Sequence, residues 1–363
     1  MFVAWRDLAF AKGRFALMGT VVVLITLLVG LLSGLTAGLA RENTSAVTGL
    51  DADRLAFAAP PDGRSVSFTD SAVQERAWRT WAERPGVAEA RPLGIRTVNA
   101  ATLAGGRTAA VSAFGVEPDG GLGPEGVRPG AGKAVLSEKA ADDLGVATGD
   151  QVRLGGVELS VAAVAGDASY SHTPVVWTSL ADWQRLGDQG GRTEQRATVI
   201  ALRTTGEVDV AAGDRAAGTS SHTVAESLTA IGSYQAENGS LQLMRGFLFA
   251  ISALVIGAFF TVWTIQRSGD VAVLKALGAS TAYLLRDALG QAVAVLVIGT
   301  GLGAALATGI GAFIGGGTVP FVLDLATVLV PAAVMTVLGA LGAALSIRRI
   351  TAVDPLTALG SAR

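Results

Sequence analysis

The sequence predicts an α+β membrane protein with four transmembrane helices and a large mixed α/β extracytoplasmic domain between helices 1 and 2. Three observations carry that expectation. Half of the 363 residues are hydrophobic, only 16% are charged, and the mean hydropathy is +0.48, too apolar for an ordinary soluble enzyme. Uncharged runs at 15–40, 246–265, 288–317 and 325–347 are each long enough to cross, as a helix, a hydrocarbon core about 30 Å thick. Between the first two runs, residues 41–221 hold most of the prolines, aspartates and glutamates, enough chain for a domain with its own core.

Composition also removes several function classes. A net charge of -2 gives no reason to expect a nucleic-acid partner. The absence of cysteine excludes disulfides, thiolate metal sites and a cysteine nucleophile. With two histidines, His172 and His222, a multi-histidine metal cluster within one protomer is not expected.

Taken in order, residues 1–14 carry Arg6, Lys12 and Arg14 against Asp7, which keeps them on the cytoplasmic side. Phe2, Trp5, Leu8, Ala9 and Phe10 among those charges predict a helix lying along the membrane interface. The first span, 15–40, is too long for a signal-peptide core and reads as a retained anchor. Within it Gly30, Gly34 and Gly38 recur every four residues, a spacing that lets another helix approach closely, within the protomer or across a dimer.

In the outer domain, residues 71–84 read as an amphipathic helix with Val73, Ala77, Trp78 and Trp81 apolar, stopped by Pro85-Gly86. Strand-type runs follow at 95–103, 108–116 and 151–165, the last broken at Gly155-Gly156 as in a hairpin. Residues 137–144 form a helix capped by Ser137 and closed by Gly145. The run from Gly130 to Lys133 imitates a phosphate-binding loop. That pattern requires glycine where Val127 stands and Ser or Thr where Ala134 stands, so any ATP hydrolysis belongs to a partner.

Thr223 to Glu226 match a capping box, predicting a pre-membrane helix that runs into the second span over 222–265. Tyr234, Glu237, Leu241 and Met244 lie near one face of it, and Gly232 and Gly239 are its weak points. The polar bridge 266–287 holds Arg267, Lys275 and Arg286 and is expected on the cytoplasmic side. Val271, Leu274 and Leu277 form a helical stripe with Asp270 and Lys275 off it, and Gly278 ends the helix. The glycine-rich third span leads through an outer turn with Pro320 into the fourth span within 318–347, where Pro331 is a candidate kink. Arg348 and Arg349 hold the tail, 348–363, inside, so both termini are expected in the cytoplasm.

Three stretches carry a family resemblance: the bridge DVAVLKALGAS…LLRDAL, the outer-domain run AVLSEKAADDLGVATGDQVRLGGVELSVAAV and the ending RRITAVDPLTALGSAR. They resemble the FtsX-like, MacB-type permeases, the type VII ABC transporters of the bacterial plasma membrane. The resemblance implies a permease subunit, not an enzyme, that docks on a separate cytoplasmic ABC ATPase through Asp270, Val271, Leu274, Lys275, Leu277, Gly278 and Arg286. Four spans are too few for a complete path, so a homodimer with two ATPase copies is expected. ATP closure would then tilt the docking helices and move the spans and outer domains as rigid bodies.

The opening WRDLAFAKGRFALMG…LLSGLTAGL and the outer SYSHTPVVWTSLADWQ look closer to the haem-exporting, HrtB-type branch of that family. That likeness implies haem detoxification by export, with haem taken from the membrane between two protomers near the outer leaflet and no permanently bound cofactor. Such a site needs apolar walls and a few polar groups where the outer domain re-enters the bilayer. Tyr234, Glu237 and Met244 lie there, and phenolate, carboxylate and thioether all ligate iron. Glu237 is favoured, with Tyr234 next, and two copies of Glu237 facing a two-fold axis would hold one iron from both sides. Arg41 and Arg245 flank the outer span ends, where they would meet propionates or lipid phosphate. Tyr170 and His172 read as structural loop residues. Two other readings stand beside haem export: a transmitter that activates an extracellular cell-wall hydrolase, and an exporter of a peptide antibiotic or lipid.

Overall fold

The computed structural model describes residues 12–103, 106–124, 127–186, 196–266, 268–314 and 319–351, with backbone alone at 12–15, 268, 270 and 347–351. Most of the expected interfacial helix, Arg267 and the tail beyond residue 351 lie outside the described residues, as do the side chains of Asp270, Arg348 and Arg349. The chain divides into two compact units, one of residues 1–38 with 239–363 and one of residues 39–238.

Helix α1 (Lys12–Thr48) does not end at residue 40. Its last turns join the outer unit, where Ala46 and Val47 enter the core. The outer unit is built on one mixed sheet. Strands β1 (Arg54–Ala58) and β2 (Val73–Gln74), helix α2 (Glu75–Ala82) and strands β3 (Val87–Thr102) and β4 (Thr108–Val116) come first. Next are β5 (Lys133–Leu136), α3 (Glu138–Leu144), β6 (Gln151–Leu154), β7 (Val157–Val164), β8 (Ser169–Tyr170), β9 (Thr173–Ser179) and α4 (Leu180–Leu186). The unit continues through β10 (Arg196–Ala197), β11 (Val199–Thr204), α5 (Val210–Ala217) and β12 (Thr219–Thr223).

The strand order is β12-β1-β11-β3-β4-β9-β5-β7-β6. Because β6 also pairs with Ala100–Thr102 at the end of β3, the strands from β3 round to β6 close into a ring. Val111, Leu136, Val152, Leu154, Leu159 and Val176 share the core of this half with Leu144 of α3. On another face, Trp78 and Trp81 of α2 and Trp183 of α4 form a tryptophan-rich layer. Gly94 and Gly115 pair across β3 and β4, and a Cβ on either would lie 2.3 Å from the Trp183 side chain. These two positions lack side chains because the indole occupies that space.

Local signals explain most of the elements. The Ser137 hydroxyl caps α3 by accepting from the Ala140 amide, and Gly145 closes it at φ 65°. The expected helix over 71–84 is shorter, Glu75–Ala82, because Val73 and Gln74 pair with β10 instead. The capping box at Thr223 and Glu226 is present, but it opens only α6 (Val224–Ser227). A 3₁₀ turn, Leu228–Ala230, and an extended Ile231 follow. Ala230 and Ile231 are buried in the outer core, which fixes the chain there, so the long helix begins afresh at Gly232.

The second unit contains the apolar parts of α1 and α7 (Gly232–Gln266), then α8 (Ser268–Ala276), α9 (Thr281–Ile314) and α10 (Leu325–Thr351). Four of these helices are long and apolar enough to cross a membrane. Met18, Val22, Ile256, Phe260, Leu296 and Met335 form their common core. The third helix starts at Thr281, ahead of the expected residue 288, since Arg286 and Asp287 are accommodated within its first turns. Pro331 lies inside α10.

The glycine register of α1 is used within the chain. A Cβ on Gly30 would lie 2.8 Å from Ala307, one on Gly34 2.3 Å from the Phe321 ring, and one on Gly38 2.0 Å from the Pro320 carbonyl oxygen. The Val322 amide donates to the Gly34 carbonyl at 3.1 Å, seating the outer turn on this groove.

Candidate functional site

The candidate site is built in the outer unit from three pieces of chain: the end of α1, the β8–β9 turn and the first turns of α7. Strands β8 and β9 are joined by only Ser171 and His172, with φ of 50° and 62°. Such a two-residue hairpin favours left-handed conformations at both central positions. A non-glycine residue held there costs about 1 kcal/mol or more, so its surroundings must compensate. The compensation comes from α1: the Ser171 amide donates to the Asn43 carbonyl at 3.1 Å, and the His172 amide donates to the Glu42 carbonyl at 3.3 Å.

The side chains continue the join. His172 Nε2 lies 2.8 Å from Glu237 Oε1, and Asn43 Nδ2 donates to Glu237 Oε2 at 3.0 Å. A carboxylate only accepts, so the proton of the first contact sits on Nε2. The 2.9 Å approach of Asn43 Nδ2 to the same ring nitrogen is then a contact between two donors. On the other side of the ring, His172 Nδ1 is 3.5 Å from Glu42 Oε2, and Lys139 Nζ donates to Glu42 Oε1 at 2.7 Å. Ser233 donates to Asn43 Oδ1 at 2.5 Å and lies 2.8 Å from the Ser171 hydroxyl. Glu237 is thus held through both oxygens while its side chain stays 38% exposed. Among the described residues no group of three or more His, Asp or Glu has the arrangement of a metal-ion site.

The other expected ligands are placed differently. Tyr234 packs against the outer core around Ala230 and Ile231. Arg41 pairs with Asp167 at 2.7 Å, both side chains largely exposed, so the contribution of that pair to stability is small. Met244 is exposed further along α7, and Arg245 is half-buried there. His222 lies on β12 with its ring against Phe57 and Nε2 3.1 Å from the Ser220 hydroxyl. His172, expected to be a loop residue of structural importance only, is the neighbour of Glu237. The signal that would have found it is the doubled left-handed turn: SYSHTP places two non-glycine residues between strands where glycine or asparagine is usual.

The bridge forms α8, and its turn at Gly278 takes φ 98° with the Ala279 amide donating to the Leu274 carbonyl. Among the described side chains of this helix, Ala272 is the buried one. Val271 and Lys275 are half-buried, whereas Leu274 and Arg286 are exposed and Leu277 is 79% exposed. Of the apolar stripe expected at Val271, Leu274 and Leu277, the two leucines are therefore left uncovered by the described residues.

Four membrane helices, with a mixed α/β extracytoplasmic domain between the first two, define a multi-pass membrane protein. Residues 15–219 match the MacB-like periplasmic core domain and residues 243–355 the FtsX-like permease C-terminal domain. The chain belongs to this MacB/FtsX family of ABC transporter permeases. Among its relatives, a Staphylococcus epidermidis protein named provisionally as the hemin transport system permease protein HrtB is 24% identical over 366 residues, covering 99% of both chains. A Staphylococcus haemolyticus protein of the same name is 39% identical over 130 residues, 36% of this chain and 37% of its own. An uncharacterized ABC transporter permease of Mycobacterium bovis is 24% identical across 99% of both chains. Among solved structures, the periplasmic region of MacB from Actinobacillus actinomycetemcomitans aligns at 10% identity and TM-score 0.35, covering 50% of this chain and 92% of that one.

Proposed function

We propose that this chain is the permease subunit of an ATP-driven pump that removes haem from the outer leaflet of the bacterial plasma membrane. It works as a homodimer with two copies of a cytoplasmic ABC ATPase, and both its termini are cytoplasmic. The observation that carries the haem reading is the Glu237 carboxylate: part-exposed, fixed by Asn43 and His172, and set on the helix that continues as a membrane span. An oriented carboxylate beside apolar surface is a ligand for ferric iron whose porphyrin stays in the lipid. The names of the staphylococcal relatives point to the same cargo.

In this reading Glu237 takes the iron, Tyr234 is the second candidate ligand, and Met244 is an apolar or thioether contact. Arg245 and Arg41 are the cations available to propionates, Arg41 after release from Asp167. The family implies an ATPase partner, and the exposed Leu274, Leu277 and Arg286 are the groups offered to it, with Val271, Lys275 and Gly278 shaping the helix and Asp270 in the same segment. Closure of the ATPases on ATP displaces α8, and the spans and outer domain move with it.

Titrating haemin into the purified, detergent-solubilised protein tests the reading. Wild type is expected to develop a Soret band that saturates, and Glu237→Ala to weaken binding about tenfold or more, the loss of one charged interaction. Equal spectra and affinity for the two proteins remove Glu237 as the ligand. No binding by either removes haem and returns the choice to a transmitter or to a peptide or lipid exporter.

A further inference from the structure

We infer that His172 is a positioning residue for Glu237: the left-handed β8–β9 turn exists to hold this ring against the carboxylate that meets the cargo. The inference rests on the haem reading of Glu237 and adds to it the group that decides where that carboxylate points.

The geometry is specific. His172 is 65 residues from Glu237 in sequence and Asn43 is 194 residues away, yet the two carboxylate oxygens are divided between them. Every piece of the support is itself fixed. The imidazole Nδ1 lies 3.5 Å from Glu42, which accepts from Lys139, and the His172 backbone is tied to α1. Asn43 is 1% exposed and is oriented by Ser233, which also meets Ser171. A hairpin that only needed to reverse the chain would take Asn-Gly at these positions without strain. Here strained, non-glycine backbone sits where a side chain must be aimed, a pattern found where a site is preorganised. A glutamate free to rotate would lose conformational entropy on binding iron, whereas one already held does not.

The test is a haemin titration of the full-length chain, read by the Soret band, with His172→Ala, His172→Gln, Glu237→Ala and the double variant His172→Ala/Glu237→Ala. We expect His172→Ala to raise Kd about tenfold, the scale of one lost charge-assisted hydrogen bond. His172→Gln keeps a side-chain donor and should recover most of that loss. The double variant should bind no more weakly than Glu237→Ala alone, because His172 acts through Glu237. Wild-type affinity in His172→Ala, with Glu237→Ala weakened, overturns the inference and leaves the haem reading standing. Additive losses in the double variant also overturn it, since His172 would then act directly on haem or on folding. Wild-type affinity in Glu237→Ala overturns both. Thermal unfolding of His172→Gln, expected within a few degrees of wild type, separates mispositioning from misfolding.

Discussion

Asp182 is the outer domain's most informative residue outside the candidate site. Its side chain is 2% exposed, yet three donors surround it: the Ser179 hydroxyl at 2.7 Å, the Gly132 amide at 2.7 Å and the Arg185 guanidinium. Burial pushes its carboxyl up, but the bonds from Ser179, Arg185 and Gly132, with the charge of Arg185, together hold it below the usual carboxylate range. A depressed folded value means that its stabilisation is complete above the ordinary Asp pKa of about 3.9 and is lost as pH falls through the lower folded value. Asp182→Asn should therefore cost about 2 kcal/mol at neutral pH. In thermal unfolding of the full chain, the gap between wild type and variant should shrink as pH falls into that acid range. A gap that stays constant across pH contradicts the assignment. The same contact explains why the phosphate-loop imitation is not one: the Gly132 amide already serves a carboxylate of its own chain. That partnership joins positions 50 residues apart, so no local pattern announces it. The rejection of the loop was legible in Val127 and Ala134, while the use of Gly132 was not.

At the scale of the helix, the α1 glycines were legible as a close-packing register but not the surface they pack on. Spacing alone allows a partner helix of the same chain or of a second copy. The structure places Ala307, Phe321 and Pro320 on that groove. Gly38 is the stringent position, because the obstructing atom is a backbone oxygen 2.0 Å from the added Cβ. Gly38→Ala should destabilise the purified protein in detergent by about 1–3 kcal/mol, the usual cost of overpacking. Gly19→Ala, on the same helix with nothing within 4 Å of its Cβ, is the control and should be neutral or slightly stabilising. Equal melting temperatures for the two variants would contradict this packing. The pre-membrane helix shows the opposite limit. Its capping box is real, but the buried Ile231 ends the helix that the box opens, a tertiary effect that propensity does not contain.

For the whole molecule, the four apolar helices and the inserted domain were legible because uncharged length and composition are local quantities. The closed circuit of strands was not, because it depends on β6 returning to the end of β3. The same non-locality hid the candidate site: Glu237 was visible as an ionisable group near an apolar run, whereas Asn43 and His172 are brought to it only by the fold. The central claim joins the two ends of α7, an oriented carboxylate in its first turns and, just past its last residue, the apolar stripe of α8. The measurement that tests it most directly is the ATPase rate of the permease reconstituted in nanodiscs with its ATPase subunit, with and without haemin, for wild type and Glu237→Ala. The account expects haemin to change the wild-type rate at least twofold and to leave the variant's rate unchanged. An identical haemin response in both proteins, or none in wild type, would contradict it.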